Sequence, residues 1–183
     1  AVEMARRGYD YWLERPGTGT RVSSGGVKIV FSDTNTHHRG ESNYRTSGVV
    51  DAMRIPKDAF YVHQVMWDGW VEPEEERTYI VGHWNYGSSR ISTHDSPVSK
   101  PVYVVSTADS VELFLNGRSL GKGRQSYRYL FTFEDVPFEP GTLEAVAERD
   151  GKGIGRETVW TAGGAAAGGR PVEVELWADP AVT

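Results

Sequence analysis

The sequence predicts a mainly β protein, an antiparallel β-sandwich preceded by a helix–strand–helix unit belonging to a larger parallel α/β architecture. The sandwich follows from residues beyond Glu72, where short β-rich runs such as Val111–Leu115 and Thr142–Arg149 alternate apolar and polar residues, as strands with one buried face must. Turn residues separate these runs, and Asn116-Gly117 is the strongest hairpin signal because both residues tolerate positive φ. The preceding unit follows from residues 1–72, where a helical period, a short apolar run, a polar stretch and a second helical period succeed one another.

Taken in order, Val2, Ala5, Tyr9, Trp12 and Leu13 lie on helical spacing, and Pro16-Gly17 ends the segment. A Gly/Ser/Thr-rich connection leads to Val27–Phe31, which reads as a buried strand. Between Ser32 and Arg45 no aliphatic side chain occurs, which marks a polar loop at the strand's carboxyl end. Pro56 suits the first turn of a helix, and Ala59, Phe60, Val62, His63, Val65, Met66 and Trp67 give its apolar side. EPEEER is then a charged turn, dividing residues 1–72 from a second unit, 73–183. Strands are expected at Thr78–Trp84, Val102–Ser106, Val111–Leu115, Tyr129–Phe133, Thr142–Arg149, Ile154–Thr161 and Val172–Trp177, with GGAAAGG at 163–169 as a flexible link. Seven short strands without a helical period indicate an immunoglobulin-like sandwich.

Composition narrows the classes. The formal charge is −5, and residues 1–72 hold 9 of the 20 basic and 9 of the 25 acidic side chains, so the second unit carries the whole excess. Neither unit has a basic stripe that would track a phosphate backbone, which disfavours nucleic acid. No apolar run approaches the eighteen or so residues of a membrane span. With no cysteine, disulfides and thiolate metal sites are excluded, while the compartment stays open, periplasm and secretion included. The chain lacks an initiator Met and starts within helical spacing, so it reads as a piece of a larger protein.

The polar loop is the candidate site, because polar, aromatic and charged groups gathered past a buried parallel strand are where α/β enzymes place their chemistry. Asp33, Asn35, His37, His38 and Arg39 are the candidate substrate-binding residues, against the bland alternative of a solvated loop. Adjacent histidines point in different directions, and Asp33 and Glu41 make no recognised ligand spacing, so neither a metal nor another cofactor is expected. His63 reads as a hydrogen-bonded core or interface residue. His83-Trp84 reads as packing of the sandwich against the preceding unit, and Trp67 and Trp70 as anchors between the two units.

Four segments resemble glycoside hydrolase family 2, the β-galactosidase family. VELFLNGRSLGKG at 111–123 and FEDVPFEPGTLEAVAERDGK at 133–152 are similar to the sandwich that follows that family's catalytic barrel, and IVGHWNY at 80–86 to its first strand. SGVVDAMRIPKDAFYVHQVMW at 47–67 resembles the end of the barrel, with its Pro-Lys-Asp-Ala turn before the last helix. The resemblance implies that residues 1–72 close a (β/α)8 barrel whose eighth strand is Val27–Phe31, with the loop facing the sugar pocket. It implies a retaining exo-glycosidase acting on terminal β-galactosides through two glutamates about 5 Å apart. Those glutamates sit on earlier strands in the family, so this chain is expected to hold neither, and its catalytic residues are none. In the parent enzyme Asp33 would accept from a sugar hydroxyl or pair with Arg39. The partners implied are a carbohydrate and the rest of the parent chain, with a homo-oligomer left open. A non-catalytic carbohydrate-binding or adhesion sandwich is the alternative.

Overall fold

The computed structural model describes residues 1–3, 30–34, 46–86 and 99–161. Among the described residues, the helix Asp58–Val71 precedes eight strands: β1 (Thr78–Val81), β2 (Ser99–Ser106), β3 (Ser110–Leu115), β4 (Arg118–Lys122), β5 (Arg124–Tyr127), β6 (Leu130–Pro137), β7 (Thr142–Arg149) and β8 (Lys152–Trp160). They form two four-stranded sheets, ordered β1-β2-β6-β5 and β4-β3-β7-β8, and every pairing is antiparallel. This is the β-sandwich expected from the sequence.

Alternation builds the core. Val111, Leu113 and Leu115 of β3, Leu143, Ala145 and Ala147 of β7, and Val102, Val104, Phe131 and Phe133 of the facing sheet are buried in one cluster. The residues between them in β2 and β6 point the other way: Val105 and Leu130 join Val62, Val65 and Met66 of the helix in a second cluster, with Tyr79, Tyr103, Tyr127 and Tyr129 packed around it. The sheet β1-β2-β6-β5 is therefore covered on both faces, by its partner sheet and by the helix.

The helix docks through Val62, Val65, Met66 and Gly69, an i, i+3, i+4, i+7 stripe. Gly69 is required there: a Cβ would lie 2.7 Å from the Tyr129 ring, and the Tyr129 hydroxyl donates to the Gly69 carbonyl at 2.5 Å. Trp67 and Trp70, expected as anchors between the units, are instead 55% and 48% exposed and pack edge-to-face on each other at 5.5 Å. Their positions fall off the docking stripe. His63 is half-buried, its Nδ1 2.5 Å from the Ala59 carbonyl.

Trp84 also differs from expectation. It packs inside the sandwich, 1% exposed, against Phe138 and Tyr86, and its indole N–H donates to the Glu139 carbonyl at 3.0 Å. β1 stops at Val81 rather than reaching it, because Gly82 turns the chain with φ at 95°. The Asn116-Gly117 hairpin forms as expected, with φ 51° and 78° and Leu115 paired to Arg118. Asn116 then reaches across the sheet: its amide oxygen accepts from the Thr142 N–H at 2.8 Å and its NH2 donates to the Pro140 carbonyl at 3.2 Å. β4 and β5 were not expected. Of the first unit, Val2 and Glu3 are helical and Val30–Thr34 are described, while Phe31, expected to be buried, is 53% exposed. Most of the first helix, Val27–Ile29, GGAAAGG and Val172–Trp177 lie outside the described residues.

Candidate functional site

The candidate site is built where the extended segment Val30–Thr34 meets residues 46–57. Ser32 pairs in parallel with Val50, and Val50 pairs antiparallel with Pro56. The Phe31 carbonyl accepts from the N–H of Val49 at 2.9 Å and of Val50 at 3.1 Å, and the Asp33 N–H donates to the Val50 carbonyl at 3.1 Å. Gly48 lets the two backbones meet this closely. A Cβ there would lie 2.4 Å from the Asp33 nitrogen and 2.6 Å from the Val50 oxygen, so no side chain fits.

The chain then folds back through a tight turn. Asp51 organises it: its Oδ1 accepts from the N–H groups of Met53 and Ile55, both at 2.8 Å, and its backbone N–H donates to the Ile55 carbonyl at 2.9 Å. Arg54 is held at φ 71°, a left-handed conformation unusual for a residue with a side chain. Met53 and Ile55 are exposed at the tip. The return strand ends with the Lys57 N–H donating to the Val49 carbonyl at 3.0 Å, immediately before the helix.

That return places Lys57 beside Asp33. The ammonium donates to Asp33 Oδ1 at 2.7 Å, lies 2.6 Å from Oδ2, and donates to the Thr46 carbonyl at 3.1 Å. Asp33 also accepts from the Gly48 N–H at 2.9 Å, and its side chain is only 3% exposed. A carboxylate this deeply buried is stabilised by charge-assisted hydrogen bonds or not at all. Asp33 and Thr46 flank the polar segment on either side. One lysine therefore ties the entry and the exit of that segment together.

Of the sequence-predicted site residues, Asp33 is described, and it is engaged by Lys57 and Gly48. Asn35, His37, His38 and Arg39 lie outside the described residues. Sequence reasoning missed Lys57 and Gly48 as parts of the site. The signal was present in the quoted SGVVDAMRIPKDAF segment, but as a turn rather than as an ion-pair partner for a residue 24 positions earlier. No group of three or more His, Cys, Asp or Glu side chains among the described residues has the geometry to hold a metal ion. Among those residues, no helix is long and apolar enough to cross a membrane.

The chain has relatives among known proteins. Residues 98–155 match a family described as a domain of unknown function, DUF4982. A β-glucuronidase of Formosa agariphila is 36% identical over 145 residues, covering 78% of this chain. A solved β-glucuronidase from glycoside hydrolase family 2 superposes over 88% of the chain with a TM-score of 0.65 and 34% identity. The chain is homologous to glycoside hydrolase family 2 enzymes. Within family 2 both named activities recur. Beta-galactosidase BoGH2A of Bacteroides ovatus is 31% identical over 74% of this chain, and a β-glucuronidase structure from Bacteroides uniformis aligns over 75% with a TM-score of 0.55 and 28% identity. The chain corresponds to a small share of each family 2 protein, 13% and 14% of the two curated relatives and 16% of each of the two structures.

Proposed function

We propose that this chain is the part of a retaining family 2 exo-glycosidase that supplies a sugar-contacting loop and an accessory sandwich, and that the parent enzyme cleaves terminal β-galactosides. In this reading residues 1–72 close a catalytic (β/α)8 barrel and 73–183 form the accessory domain. Asn35, His37, His38 and Arg39 bind hydroxyls of the terminal sugar, and Asp33 orders the loop that carries them. The nucleophile and acid/base glutamates come from the remainder of the barrel. The observation that supports the loop assignment is the Lys57 ammonium, which holds Asp33 on one side of the polar segment and Thr46 on the other. A buried ion pair is an expensive way to fix a loop that only faces water, and a natural way to pre-organise one that binds substrate.

Relatives named both β-galactosidase and β-glucuronidase make the sugar the point to test. In the full-length parent protein, aryl β-galactoside and aryl β-glucuronide are compared as substrates, with His37→Ala and Arg39→Ala as variants. Loss of a hydrogen bond to a charged or strongly polarised group costs about 1.5–3 kcal/mol, so kcat/KM should fall about 10- to 100-fold with thermal stability unchanged. Kinetics identical to the parent would retire the loop as a sugar contact. Faster cleavage of the glucuronide would retire the galactoside assignment and leave the loop standing.

A further inference from the structure

Between the helix and the sandwich lies a cleft of about 430 Å³ whose walls include Tyr61 and Gln64 of the helix, Arg77 beside β1, Tyr79 of β1, and Glu157 and Val159 of β8. That volume falls within the roughly 300–1,000 Å³ of small-molecule sites. The Tyr61 and Tyr79 rings stack at 4.5 Å and 19°, giving the cleft an aromatic wall. Two of its polar groups are already committed: the Tyr79 hydroxyl donates to Asp58 Oδ1 at 2.7 Å, and Arg77 is paired with Asp68 at 2.9 Å and Glu75 at 3.1 Å.

Three others are not. Among the described residues the Tyr61 hydroxyl, the Gln64 amide and the Glu157 carboxyl make no hydrogen bond or ion pair. Glu157 is half-buried, and burial pushes its carboxyl above the usual range. Three polar groups left uncommitted by the fold, set on one aromatic-walled cleft, give it the composition of a recognition site. The combination selects its ligand. A carboxylate accepts from two neighbouring hydroxyls, an amide and a phenol each donate and accept, and a tyrosine face packs against C–H groups. Arg77 is already paired with Asp68 and Glu75, so no uncommitted cation among the lining residues offsets Glu157, and an anionic ligand is disfavoured.

We infer that this cleft is a glycan-binding subsite, taking a neutral pyranose unit of a saccharide at the junction of the helix and the sandwich. Every group it uses lies outside the polar loop, so it stands or falls separately from the loop's role. The test is an NMR titration of the 183-residue chain with lactose, cellobiose, glucuronate and choline. Lactose or cellobiose should shift the amides of Tyr61, Gln64, Tyr79 and Glu157 saturably at about millimolar concentration, with glucuronate about fivefold weaker because its carboxylate meets Glu157. Tyr61→Ala and Glu157→Ala should each weaken the disaccharide about fivefold or more. Glu157→Gln, which keeps the side chain's shape, should weaken it in the same direction and guards against a loss of fold. The inference is overturned by an absence of saturable shifts, by saturable shifts that survive both Tyr61→Ala and Glu157→Gln, or by choline binding more tightly than either disaccharide. Shifts confined to residues 30–50 would overturn it too, while supporting the loop as the sugar contact.

Discussion

Replacing Lys57 with methionine keeps most of the aliphatic stem and removes the ammonium that joins Asp33 to Thr46. Taking one partner from a fully buried ion pair costs about 3–5 kcal/mol. Asp33 meets that condition at 3% side-chain exposure, but Lys57 is 32% exposed, so water can replace part of what is lost. The Gly48 N–H also remains on the carboxylate. These two corrections bring the expected cost to about 2 kcal/mol, or about 30-fold in a local opening equilibrium. The assay is amide hydrogen exchange in the 183-residue chain. Gly48 and Val50, whose N–H groups bond Asp33 and the Phe31 carbonyl, should lose protection by that factor, while Val104 and Leu113 in the sandwich core should not change. In a double-mutant cycle, Asp33→Asn combined with Lys57→Met should cost about 1 kcal/mol less than the two separate costs added together. Protection changed by less than about threefold, or strict additivity, would show that the ion pair does not hold the loop stems.

Further perturbations test the remainder. Gly69→Ala places a methyl 2.7 Å from the Tyr129 ring, so the helix must lift from the sheet; an overpacking cost of about 1–3 kcal/mol should appear as a lower urea midpoint. Gly141→Ala forces a side chain onto φ 135° and to 1.9 Å from Asn116 Oδ1, breaking the tie to Thr142, and should lower Tm by about 4–10 °C. The Glu157 carboxyl is raised above its ordinary value of 4.5 in the folded chain, so its stabilising contribution is complete below that value and is lost as pH rises through the folded one. Glu157→Gln should therefore gain stability relative to the parent between pH 4 and pH 7 in urea titrations, with no gain at the acid end. Tyr79 is raised by burial and then by its bond to Asp58, so its contribution is complete below pH 10 and falls away above it; Tyr79→Phe should show a shallower alkaline loss of stability, by up to about 1.4 kcal/mol per pH unit.

How much of this the sequence discloses depends on which force fixes each element. β3 and β7 were legible because solvent and core enforce strict alternation on them, as in Val111, Leu113 and Leu115. The Asn116-Gly117 turn was legible because its backbone demands residues that accept positive φ. β4 and β5 were not: both are sheet edges, with burial confined to half-exposed positions, so RSLGK and RQSY carry no apolar rhythm. Trp67 and Trp70 misled because size was taken as a sign of burial, whereas a four-residue helical stripe ending at small Gly69 decides which face docks. The polar segment between Ser32 and Arg45 is marked in the sequence by composition alone. The lysine that joins its flanks, Asp33 and Thr46, was not legible, because a pairing between Asp33 and Lys57 depends on the backbone crossing at Val50, which no local pattern encodes.

The same short helix has a charged fastening at its first turn, in Lys57, and an aromatic fastening near its last, where Tyr129 seats on Gly69. At about 1.5 Å per residue these points stand about 18 Å apart on a rod too short to bend appreciably. The β-sandwich thereby serves as a footing for Asp33 and Thr46, and remodelling at Tyr129 would be felt by Asp33 as a change of alignment.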